Sequence, residues 1–129
     1  MRLLCMLEES MVKFRDLTSE EIALIDYLAN KAKIQLKSNW MSSTIAVTLT
    51  QERIGSIGLV SRNSIEFVHK RSREIYCCKF HDTDNVDVTA YLLVDPENTL
   101  YELDLWKVDD SEILHIPSVG CMEDIPQIG

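Results

Sequence analysis

The period of the hydrophobic pattern changes once along this chain, and that change limits the folds open to it. Before Asn39 the apolar residues Ile22, Ile25, Leu28, Ala29, Ala32 and Leu36 recur every three or four positions; from Ser43 onward the repeat is two. A single helix followed by strands is an α+β chain. Thr18-Ser19-Glu20-Glu21 has the form of a capping box, and Leu17 can staple onto Ile22, so the helix is expected to begin there. About five turns are expected, with Lys31, Lys33 and Lys37 facing the negative end of the helix dipole and Ser38-Asn39 as the stop.

A half-buried strand is expected from Ser43, with Ile45, Val47 and Leu49 on one side and Thr44, Thr48 and Thr50 on the other, and a partner strand over Ile54–Val60 after a turn at Gln51-Glu52-Arg53. A short apolar run, Ile65–Val68, comes next. Three strands, Ile75–His81, Val86–Val94 and Leu100–Trp106, are joined by Asp82-Thr83-Asp84-Asn85 and Asp95-Pro96-Glu97-Asn98, both rich in turn residues. The expected architecture is one N-terminal amphipathic helix packed on an antiparallel sheet of about five strands that ends in a three-strand meander. Residues 1–12 read as an extension, with Met11 an alternative start to Met1. Residues 13–112 read as one domain and 113–129 as an acidic tail.

Composition bears on partners. The 46% apolar and 26% charged fractions are ordinary for a globular chain. No apolar run approaches the roughly 20 residues that cross a bilayer, and Glu8 and Glu9 interrupt the apolar start before any cleavage site, so a cytoplasmic protein without membrane contact is expected. Charge is segregated: residues 1–80 carry 12 Lys/Arg and 9 Asp/Glu, whereas residues 81–129 carry 12 acids and one base, Lys107. Such an acidic surface repels nucleic acid and attracts basic proteins.

Conventional chemistry finds little footing. Asp82, Asp84 and Asp87 suggest half a calcium loop, but its glycine is missing and Leu93 stands at the twelfth position. Cys77, Cys78 and His81 lack a second ligand pair at zinc spacing, and the adjacent Cys77 and Cys78 point to opposite faces of a strand. Cys5, Cys77, Cys78 and Cys121 are read as reduced thiols, and neither metal nor cofactor is expected. The run from His69 to Arg73 reads as a solvated loop or an internal partner for the acidic segment rather than an anion site. Glu102, Asp104 and Trp106 share one strand face. Paired carboxylates can act as acid and base, but beside an aromatic they also describe a protein-binding face, which is the reading preferred.

Phe14-Arg15-Asp16-Leu17-Thr18, Ile54-Gly55-Ser56-Ile57, Phe80-His81-Asp82-Thr83-Asp84 and above all Glu102-Leu103-Asp104-Leu105-Trp106-Lys107-Val108-Asp109 resemble a family of small bacterial proteins of unknown function. The resemblance spans residues 13–110 and departs at Gln51-Glu52-Arg53, where that family carries an aspartate and glycines. It implies no catalytic activity. Small acidic proteins of one helix and a sheet are also similar, in a general way, to bacterial immunity proteins. The expectation is therefore an immunity or antitoxin-like protein that neutralises a basic toxin domain, such as a nuclease, through Glu102, Asp104, Trp106, Asp109, Asp110 and Glu112. The alternative is a small enzyme or small-molecule-binding domain with its site near Gly55 and Ser56 and the carboxylates of Glu102 and Asp104. A homo-oligomer built on the edge of the meander is a third reading.

Overall fold

The computed structural model describes residues 13–48 and 55–126. The extension before Met11, the Met11 start, Cys5 and the Gln51-Glu52-Arg53 turn lie outside them. The described chain is mostly a seven-stranded antiparallel sheet: β1 (Phe14–Asp16), β2 (Thr44–Thr48), β3 (Ile57–Ser61), β4 (Arg73–His81), β5 (Asp87–Val94), β6 (Leu100–Lys107) and β7 (Glu123–Asp124). One long helix, α1 (Ser19–Lys31), and one short one, α2 (Trp40–Ser43), accompany it.

This corrects the expected helix on a sheet of about five strands ending in a meander. The sheet runs β1-β2-β3-β6-β5-β4-β7. The consecutive strands β4, β5 and β6 are flanked on both sides, by β3 beside β6 and by β7 beside β4, so they form the middle of the sheet and not its end. The order β3-β6-β5-β4 is that of a Greek key. β1 and β7, three and two residues long, are too short to show a period, which is why they escape pattern reading.

α1 starts as its sequence dictates. Thr18 Oγ1 accepts from the Glu21 amide at 3.1 Å, and Glu21 Oε1 accepts from the Thr18 amide at 2.9 Å. Arg15 closes on the same carboxylate with two bonds of 2.8 Å, tying β1 to the helix start. The end differs from expectation. Lys33, at φ 60°, leaves the right-handed region, so the helix has 13 residues and Leu36 packs on the core from non-helical chain.

Leu24, Ile25, Leu28 and Ala29 of α1 pack with Cys78, Phe80, Val88, Ala90, Leu92, Leu103 and Leu105 on one face of the sheet. β5 and β6 alternate buried and half-buried residues, as strands with one covered face do. β2 departs from this pattern: Thr44, Ile45, Ala46 and Val47 are all buried, so it is not the half-buried strand expected. The Ile65–Val68 run forms no strand. Ile113, Ile116 and Met122 pack against the core, and β7 is held by Asp124, which accepts from the Tyr27 hydroxyl at 2.7 Å and Lys31 Nζ at 2.9 Å.

Candidate functional site

Opposite the helix-covered face, the strand alternation leaves Lys79, Thr89, Tyr91, Leu93, Glu102 and Asp104 half-buried. Trp106 stands out among them, with 46% of its surface exposed. A shallow depression of about 520 Å³ runs between Ser56, Tyr91, Asp104 and Trp106.

Three of the residues singled out from the sequence, Glu102, Asp104 and Trp106, share this face at spacings of two. Asp109, Asp110 and Glu112 follow β6 and are exposed. A turn brings the two groups together. Asp110, at φ 61°, donates its amide to the Lys107 carbonyl at 2.8 Å, and its carboxylate accepts from Trp106 Nε1 at 3.2 Å. Asp109 is capped by the Ser111 hydroxyl and amide, which hold its carboxyl below the usual range. Glu112 joins through its backbone, its carbonyl accepting from Lys107 Nζ at 3.0 Å.

Gly55 and Ser56 reach the same strand from the side. The Ser56 hydroxyl donates to Asp104 Oδ1. Burial pushes the Glu102 carboxyl up, the Asp104 charge adds to the shift and His69 opposes it. Gly55 has φ 115°, and a Cβ there would lie 2.8 Å from Leu105 Cβ and 2.7 Å from Ile113 Cδ1. Only glycine fits this position. A cavity of about 410 Å³ opens beside it, reached by Arg15, Thr18 and His115.

Sequence reasoning missed the role of Lys107. It sits on the helix-covered side with no accessible surface, and its ammonium donates to Asp82 Oδ2 at 2.9 Å and Asp84 Oδ2 at 2.7 Å as well as to Glu112. All three ammonium protons thus have acceptors. Two of the three aspartates that suggest a calcium loop, Asp82 and Asp84, have a side chain of the chain itself as their cation. The available signal was that Lys107 is the one base in an acidic third. The basic run stays exposed but finds partners within the chain: Lys70 Nζ lies 3.7 Å from Asp95 and Arg73 donates to Asn98 at 2.5 Å.

Among the described residues no group of three or more His, Cys, Asp or Glu is placed to hold a metal ion, and no helix is long and apolar enough to cross a membrane. A family model described as "Domain of unknown function (DUF6984)" matches residues 14–117, from β1 through β6 and the first residues beyond it. No curated protein and no solved structure matches the chain.

Proposed function

This chain belongs to the family described as a domain of unknown function (DUF6984), and from that premise we propose that it is a protein-binding domain, an immunity or antitoxin-like protein of the bacterial cytoplasm whose acidic face docks on a basic toxin domain. One observation carries the reading. Lys107, the one Lys or Arg among residues 81–129, is withdrawn from the surface and paired with Asp82 and Asp84, so this acidic third offers solvent no lysine or arginine charge. Into that field projects Trp106, the residue type that most often anchors an interface. The surrounding carboxylates of Asp104, Asp109 and Asp110 steer a basic partner and set the association rate.

The test is association of the tagged chain with the basic protein encoded beside its own gene, followed at low and moderate salt. Binding released by salt is expected, with association slowed about tenfold by Asp104→Lys together with Asp109→Lys, and dissociation hastened by Trp106→Ala. An affinity untouched by these changes would overturn the proposal.

A second reading, a small-molecule or catalytic site beside Gly55, is favoured by the bond from Ser56 to Asp104, the raised Glu102 carboxyl and the neighbouring cavity of about 410 Å³. It requires a ligand whose binding is lost on Ser56→Ala while partner association is kept.

A further inference from the structure

A cleft of about 560 Å³ lies elsewhere and shares no lining residue with the depression at Trp106 or the cavity at Gly55. Its volume falls within the range of small-molecule sites. The buried indole of Trp40 lines it, together with Phe67 stacked on Tyr101 at a ring separation of 5.1 Å. Phe67 comes from chain without helix or strand, yet that segment is fastened to β6: the Tyr101 hydroxyl accepts from the Lys70 amide at 3.0 Å and meets His69 Nδ1 at 3.3 Å. Gly58 makes room for it, since a Cβ there would lie 2.6 Å from the Phe67 ring.

Charges of both signs line the same cleft. The Asp95 side chain is only 6% exposed; its Oδ1 accepts from the Glu97 and Thr99 amides at 2.9 and 3.0 Å, while Oδ2 faces Lys70 Nζ at 3.7 Å, beyond hydrogen-bond distance. Lys37 supplies a second ammonium. A purely anionic ligand would meet Asp95, Glu66 and Glu97, and a purely cationic one would meet the two lysines. A molecule carrying both charges on an apolar body satisfies all of them: its ammonium against Asp95, its carboxylate against Lys37 and Lys70, its body on the aromatic wall.

We propose that this cleft binds a zwitterionic small molecule of dipeptide size with an apolar side chain. The site stands independently of the acidic face. The test uses the full chain carrying Trp106→Phe, which leaves Trp40 as the one indole reporter. It is titrated with leucyl-phenylalanine and with the same dipeptide acetylated and amidated at its ends. Saturable change in Trp40 fluorescence is expected with the free dipeptide, about tenfold weaker binding with the capped one, and a similar loss on Lys70→Gln, an exposed position that does not threaten folding. Equal binding of the two peptides, indifference to Lys70→Gln, or no saturable signal from either peptide would each overturn the proposal.

Discussion

Lys107 and Asp82 form an ion pair with neither side chain accessible to solvent, Nζ to Oδ2 at 2.9 Å. Asp82 is further held by the Leu114 amide at 2.8 Å and the Thr83 amide at 2.7 Å, so the pair joins the first turn of the meander to the chain beyond β6. Removing one partner of such a pair strands the other charge. Lys107→Met should lower the melting temperature by about 10 °C or more, and Asp82→Asn added to it should recover part of that loss. Thermal denaturation of the two variants checks this.

Titration separates two kinds of carboxylate. Burial opposes ionisation of Asp82 and Glu21, but the Leu114 amide and Lys107 in one case, and Arg15 and Thr18 in the other, outweigh it and hold both carboxyls low; Asp124 is held low by Tyr27 and Lys31. Their stabilisation is complete above the unfolded carboxylate range near pH ~4 and is lost as pH falls through the lower folded values. Glu102, raised by burial, has the opposite sign, costing stability once it ionises. Melting curves should therefore show Asp82→Asn destabilised at pH 7 with the deficit shrinking as pH falls below the unfolded carboxylate range, and Glu102→Gln stabilised at pH 7 with the gain gone in acid.

The helix cap is an independent element. Thr18→Ala removes the acceptor for the Glu21 amide and should cost about 1 kcal/mol in urea denaturation. Glu21→Gln should cost more than Thr18→Ala, because it also breaks the two-bonded pair with Arg15.

Three glycines form a graded series. Gly55→Ala is strained at φ 115° and collides with the Leu105 backbone, so it should destabilise by more than about 1 kcal/mol. Gly58→Ala should displace Phe67 from Tyr101 and weaken binding in the cleft along with stability. Gly120→Ala meets nothing within 4 Å and should stay within about 0.5 kcal/mol of the parent.

The thiols should differ in reactivity. Burial pushes Cys78 up to about 12, whereas Cys121 is exposed. In a Cys5→Ser background, an aromatic disulfide reagent should titrate Cys121 at once, and Cys77 and Cys78 only on unfolding.

What pattern reading could and could not see follows from the range of the forces involved. The start of α1 was legible because Thr18 and Glu21 are three residues apart and answer each other locally. Its end was not: Leu36 keeps the apolar spacing because it packs on the core, although the helix stops at Lys31. The shared face of Glu102, Asp104 and Trp106 followed from a period of two. The partners of Lys107 lie 25 and 23 residues earlier in the chain, and the pairing of β3 with β6 spans more, so neither left a local mark.

The strand order also decides when this molecule can finish folding. β1, β2 and β3 can pair with one another soon after they are made, but β3 meets its other neighbour only once β6 has been synthesised. Tyr27 and Lys31 wait longer still for Asp124, 97 and 93 residues further on. Because such distant contacts form late and slowly, the half-sheet of β1, β2 and β3 stays unclosed while the chain from β4 to β6 is being made. The β3 edge is covered only when β6 has left the exit tunnel, so a chain stalled before that exposes it to whatever lies nearby.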